Sequence, residues 1–285
     1  MSAIQLSCSS MPWGKAPLEQ MLAEMAQAGY DGAEANVNMG LTPEQVRAIW
    51  TRHGLAWGPG YLGLGMAMTP EGRTKDLDKA KRHIAFSREL GLTELFVAAA
   101  MSPERKAFAG HVGTKNATPD GYIRQLAERL SEIGALALRD GVRLCFHNHV
   151  GSVIETRDEI DRLLARVDPG AVFLGADIGH LVWGGGDAVS FCRDYGERFL
   201  ALDVKDINPT VLAEGVARGW TYDEFAGKGI FAELGEGMID FPAMFQVLKE
   251  KRFKGWLRVE IDVTQKATAL QSATICRDYL RKLGI

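Results

Sequence analysis

This sequence lacks most of the features that would tie it to a membrane, a nucleic acid or an oxidising compartment. No apolar run approaches the roughly 20 residues that a membrane-spanning helix requires. The four cysteines, Cys8, Cys145, Cys192 and Cys276, are far apart and form no CxxC pair, so they read as buried free thiols in a reducing compartment. Lys and Arg number 33 against 36 Asp and Glu, and the net charge of −3 gives no general attraction for nucleic acid or an anionic membrane surface. The first residues show no basic region followed by an apolar stretch. No secretory signal is therefore read, and a cytoplasmic protein is expected. No linker or low-complexity tract interrupts the chain, so residues 1–285 are expected to form one domain.

What the sequence does have is a repeating unit, a short apolar run followed by an amphipathic helical pattern. Strand-like runs fall at 4–10, 32–37, 55–61, 94–100, 143–149, 172–178, 199–206 and 256–262. The helical patterns between them lie at 17–29, 43–53, 75–90, 121–140, 156–167, 187–197, 240–252 and 266–283. Thr42-Pro43 and Thr156 with Glu159 are start signals. Gly29, Gly54, Gly91, Gly141 and Gly284 are stop signals. Eight strand–helix units predict a closed (β/α)₈ barrel, a TIM barrel of the α/β class. A doubly wound sheet is the competitor, but no GxGxxG follows the first strand. One long interruption, about 208–239 after the seventh strand, reads as a lid or partner-contact loop.

In such a barrel the chemistry collects at the carboxyl ends of the strands. The ionisable residues there are Glu34, His147, His149, Asp177, His180, Asp203, Lys205, Asp206, Glu260 and Asp262. His147 and His149 are two apart, and strand alternation would aim both at one face; the same holds for Asp203 with Lys205 and Glu260 with Asp262. Each alone has a plainer reading. An Asp just past a strand is commonly a helix cap, and Asp203 with Lys205 would serve as a structural ion pair. Four consecutive strands ending in such groups favour a metal site, because ionised groups inside a barrel are costly unless they pair or bind a cation. Imidazole with carboxylate suits Mn²⁺, Fe²⁺, Co²⁺ or Zn²⁺, and carboxylate oxygens also suit Mg²⁺. Gly184-Gly185-Gly186 reads as a flexible connection, and Gly235-Glu236-Gly237 as a ligand-facing loop.

These motifs resemble the sugar phosphate isomerase/epimerase superfamily of xylose isomerase-like TIM barrels, and within it the inosose dehydratase group. The likeness spans nearly the whole chain. It is carried by RLCFHNHVGSVIETRDEID (143–161), GADIGHL (175–181), DVKDINPTVL (203–212), GIFAELGEGMIDF (229–241) and GWLRVEID (255–262). The resemblance implies one divalent metal, Mn²⁺ or Co²⁺ foremost, held by His147, Asp177, Asp203 and Glu260. Asp203 stands where nearly all relatives have His, and His147 where most sugar epimerases have Glu. It further implies catalytic roles for His149 (a base), His180, Lys205 and Glu260, and substrate contacts from Glu34, His180, Lys205 and Glu236. The expected activity is a metal-dependent carbon–oxygen lyase, a dehydratase acting on a keto-polyol or keto-sugar, most like 2-keto-myo-inositol. A ketose isomerase or epimerase, β-elimination from a 3-keto-glycoside, and a metal-free binding subunit are the alternatives. Relatives imply a homo-oligomer, a dimer or tetramer, with no nucleic-acid or membrane partner.

Overall fold

The computed structural model describes residues 4–285. Its strands are β1 (Ile4–Cys8), β2 (Gly32–Glu34), β3 (Ala56–Gly58), β4 (Tyr61–Leu64), β5 (Glu94–Ala99), β6 (Arg143–Phe146), β7 (Val172–Asp177), β8 (Phe199–Val204), β9 (Asp206–Ile207), β10 (Phe231–Ala232) and β11 (Gly255–Val259). Nine of them form one parallel sheet in the order β3-β2-β1-β11-β8-β7-β6-β5-β4. The two ends of that order, β3 and β4, are separated in the chain only by Pro59-Gly60. They are two halves of one stave. Gly58 O accepts Ala35 N–H at 3.2 Å on one side, and Gly60 O accepts Phe96 N–H at 3.0 Å on the other. Pro59 has no N–H to give to a ladder, which is why the stave breaks there. The sheet thus curls into an eight-stave (β/α) barrel.

The helices follow the sequence pattern closely because many of their starts and stops have a local cause. Thr42 and Thr156 each accept the N–H of the third helical residue, and Gln45 and Glu159 reach back to close both capping boxes. The helix expected at 75–90 starts earlier, as Pro70–Leu90, because Thr69 caps it from Gly72 N–H and Pro70 supplies the first helical position. The stretch 208–239 is not a bare loop. It contains helices Pro209–Arg218 and Tyr222–Gly227, and returns through β10, which pairs antiparallel with β9.

Asp206 fixes the root of this arm. Its carboxylate accepts N–H groups from Ile207, Gly235, Gly237 and Ile239 at 2.9–3.0 Å. A side chain on Gly237 would strike that carboxylate, so Gly235-Glu236-Gly237 is a structural turn built around Asp206, not a ligand-facing loop. The barrel lumen holds its own apolar plug of Phe96, Ala201 and Trp256, flanked by Ala56 and Tyr61.

A second buried carboxylate network pins the loop after β5 to the loop after β6. Arg105 makes two bonds to Glu159, at 3.0 and 2.9 Å, while Glu155 accepts Gly110 N–H at 2.7 Å and Gly151 N–H at 2.8 Å. Burial raises the Glu155 carboxyl to about 7, outweighing those N–H groups and Arg105. A carboxyl raised in the folded state contributes its stability at low pH and loses it as pH climbs through about 7. Unfolding free energy should therefore fall between pH 5 and pH 8 by a Glu155 share on the order of 3 kcal/mol. Chemical denaturation across that range should show a shallower slope for Glu155→Gln. Equal slopes would remove Glu155 as the titrating group.

Candidate active site

The carboxyl ends of β6, β7, β8 and β11 bring His147, Asp177, Asp203 and Glu260 together. One donor atom from each lies within 4.8 Å of all the others. Local backbone features aim them. At the irregular register between Leu174 and Gly175, two residues before Asp177, a Cβ would enter the Phe96 ring, so glycine makes room for that ring against β7. Asp177 then divides its two oxygens. Oδ1 caps the helix Ile178–Trp183 by accepting His180 N–H at 2.8 Å, while Oδ2 points into the cluster with no aligned hydrogen-bond donor. Asn148 joins the loop to β7 by donating to Asp177 O at 2.9 Å and accepting Asp177 N–H at 3.1 Å.

His147 is fully enclosed and neither ring nitrogen has an aligned partner. Its Nδ1 lies 3.2 Å from Asp203 Oδ2 and its Nε2 3.8 Å from Asp177 Oδ2. Burial pushes the imidazole down, but the surrounding carboxylates outweigh it and hold the ring above the ordinary histidine value. Buried nitrogen and oxygen atoms without partners are what a cation site leaves exposed when only protein atoms are counted. This donor set fits a divalent ion.

Two side chains already carry positive charge into this acidic floor. Lys205 Nζ lies 3.1 Å from Asp177 Oδ2 and 3.0 Å from Glu260 Oε2, and it also contacts Asp262. Burial alone would lower the ammonium, yet these carboxylates hold it well above the ordinary lysine range. Gly179 makes room, since a Cβ there would meet the Lys205 stem. Arg258 bonds Asp203 through Nε at 2.9 Å and through Nη2, and reaches Glu34 Oε2 at 3.0 Å. Burial pushes the Glu260 carboxyl up, but Lys205 and Arg258 outweigh it and keep Glu260 ionised.

A second cluster, His149, His180 and Asp262, lies beside the first. Burial and Lys205 push His149 down to about 3, and burial with His149 and Lys205 pushes His180 well below its usual value. Both imidazoles are neutral, with ring centroids 3.7 Å apart. His149 Nδ1 bonds Val150 O at 2.7 Å, so Nδ1 carries the proton and Nε2 is bare. Asp262 is raised by burial to about 6, against the pull of Lys205. Tyr222, from the arm, stacks on His149 at 6.0 Å and on Trp183 at 5.1 Å. The arm thus packs an aromatic side chain against His149.

These groups open onto a cavity of about 280 Å³ lined by Glu34, Asn36, Tyr61, His147, His149, Arg258, Glu260 and Asp262, with Ser9, Ser10 and Met11 at one side. The expected residues separate into three places. Glu34, His147, His149 and Glu260 face the cavity. Asp177, His180, Asp203 and Lys205 lie at 0% exposure, enclosed behind it. Glu236 stands apart, exposed and paired with Lys266 at 2.6 Å, so it does not join the site. His147 and His149 also serve different clusters, because β6 ends at Phe146 and strand alternation stops before them. Arg258, Asn36 and Tyr61 carried no expected role. Arg258 was legible as an inward position two before Glu260, but nothing in the sequence marked Asn36 or Tyr61.

Fold and site together define a β/α-barrel enzyme with a cluster of imidazole and carboxylate donors at its mouth. The family described as xylose isomerase-like TIM barrel matches residues 22–281, and the chain belongs to it. It is 29% identical over 271 residues to inosose dehydratase of Clostridium perfringens (strain 13 / Type A), covering 93% of this chain and 89% of that protein. It is 29% identical over 262 residues to the rhizopine catabolism protein MocC of Rhizobium meliloti, covering 87% and 76%. The solved structure of IolI protein with a bound zinc atom matches with a TM-score of 0.74 at 15% identity, covering 98% of each chain. No helix among the described residues is long and apolar enough to cross a membrane.

Lys205 is one cation shared by three carboxylates, Asp177, Glu260 and Asp262. Lys205→Met should destabilise the fold by about 3–5 kcal/mol at pH 8, the cost of stranding buried charge. The loss should shrink at pH 5, where Asp262 takes up a proton. Denaturation midpoints at the two pH values check this, and a cost independent of pH would contradict it.

Proposed function

We propose that this enzyme is a dehydratase of a keto-polyol or keto-sugar, with 2-keto-myo-inositol the substrate to test first. The observation that carries the reading is the pairing, at one barrel mouth, of a cation-ready cluster with a carboxyl raised to about 6 at Asp262 and the neutral imidazole of His149, which share the cavity with its members His147 and Glu260. The names of the inosose dehydratase relatives support the substrate class.

His147, Asp177, Asp203 and Glu260 are the candidate holders of the ion. When bound, a divalent cation would polarise the substrate carbonyl and stabilise negative charge developing beside it. The cavity side chains do the rest. Asp262 accepts the proton from the carbon next to the carbonyl, since a group titrating near 6 is better matched to proton transfer at neutral pH than His149 held at about 3. That proton then passes to the departing hydroxyl as the carbon–oxygen bond breaks and the carbon–carbon double bond forms, and water leaves. His149 offers its bare Nε2 to a substrate hydroxyl, and Glu34 and Asn36 face the remaining hydroxyls. Lys205, enclosed behind Glu260 and Asp262, positions these two carboxylates rather than touching substrate.

Metal-replete enzyme should convert 2-keto-myo-inositol to a hydroxy-enone, the enol form of a 1,2-diketone, with a new ultraviolet absorbance. Isomerised ketose without that chromophore would move the activity to the isomerase class. Asp262→Asn should slow exchange of the substrate α-proton with deuterated solvent by about 10²–10⁴-fold. His149→Ala should mainly raise KM. Loss of exchange in His149→Ala with retention in Asp262→Asn would reverse the assignment. Glu260→Gln should abolish turnover in a folded protein.

A further inference from the structure

Asp203 is the cluster carboxylate least free to hold an ion. Both of its oxygens are engaged by one guanidinium, Oδ1 by Arg258 Nε at 2.9 Å and Oδ2 by Nη2. This is the two-bond arrangement in which Arg and carboxylate pair most strongly. Arg258 is 1% exposed and stays charged at any ordinary pH; it also reaches Glu34 Oε2 at 3.0 Å and lies 3.7 Å from Glu260 Oε1, but Asp203 alone has both oxygens taken up by it. The other end of the cluster differs. There one ammonium, Lys205, is shared among Asp177, Glu260 and Asp262, and negative charge remains in excess.

The placement of His147 points the same way. Its ring sets Nδ1 toward Asp203 and Nε2 toward Asp177. The two nitrogens direct their lone pairs to different sides of an imidazole, so an ion on Nε2 lies away from Asp203. A ligating histidine ordinarily gives its other ring N–H to a carboxylate that fixes its tautomer and orientation. Asp203, 3.2 Å from Nδ1, is in the position for that partner.

We propose that Asp203 and Arg258 form one neutral positioning pair that orients His147, and that His147 Nε2, Asp177 and Glu260 alone hold the divalent ion. This rests on the cation reading above and narrows it. Asp203 is a positioning residue and not a ligand, and Arg258 is required because Asp203 is an acid.

The test is calorimetric titration of Mn²⁺ and Zn²⁺ into metal-stripped protein, with thermal unfolding to establish that each variant is folded. Asp177→Asn should lose stoichiometric binding. Asp203→Asn combined with Arg258→Met removes the pair as a unit but keeps a carbonyl oxygen for His147 Nδ1–H. It should bind one ion per chain within about tenfold of the natural affinity. Asp203→Leu with Arg258→Met also removes that acceptor. It should still bind one ion, weakened roughly 10–100-fold, the usual effect of losing an outer partner of a metal ligand. Loss of stoichiometric binding in a folded double variant, matching Asp177→Asn, overturns the proposal. If one double variant does not fold, the other decides. Failure of the natural protein to bind either ion would instead overturn the cation reading itself, and this inference with it.

Discussion

Five carboxylates, the buried Asp177, Asp203 and Glu260 and the half-buried Glu34 and Asp262, gather at the mouth of this barrel against two permanent cations, Lys205 and Arg258. Ionised groups in a poorly solvated interior are tolerated only where they are paired. This deficit of positive charge governs the local chemistry. It holds the Lys205 ammonium and the His147 imidazole above their ordinary values, while burial lifts the carboxyls of Asp177 and Asp262. A divalent ion is the natural complement of such a surplus.

The two fixed cations divide the floor unequally. Lys205 is a point charge on a flexible stem and is spread over three acids. Arg258 is a planar fork and closes on Asp203, with Glu34 at its other edge. The same total charge is thus arranged as one corner where a single acid is gripped by two bonds and one where a cation is spread thinly, and both reach the cavity through Arg258, Glu260 and Asp262. The paired neutral imidazoles of His149 and His180 add hydrogen-bonding capacity without altering that balance.

Much of this was written in the local sequence. The barrel followed from eight repeats whose caps and stops have single-residue causes, such as Thr42, Thr156 and Gly91. Ionisable residues at strand ends, where this fold concentrates its chemistry, marked ten candidates, and the family resemblance narrowed them to the four-residue cluster. Other features depend on three-dimensional neighbours and were not legible. Strand alternation could not show that β6 stops at Phe146 and sends His147 and His149 to separate clusters. Nor could it show that Glu236 meets Lys266 rather than the cavity, since that pairing joins residues 30 positions apart. The titration of His149 escaped for a similar reason, because its burial comes from the stack with His180 and Tyr222, contributed by a different strand end and by the arm.

The Asp206 clamp carries an architectural implication. One carboxylate gathers the chain on both sides of the excursion, at Ile207 before it and at Gly235, Gly237 and Ile239 after it. The intervening segment is therefore tied off at its neck like a bag. Its contents can lengthen, shorten or change their aromatic residues without loosening the staves beneath. Tyr222, which the bag presses against His149, is thereby held beside the cavity by a segment whose anchorage is independent of its contents.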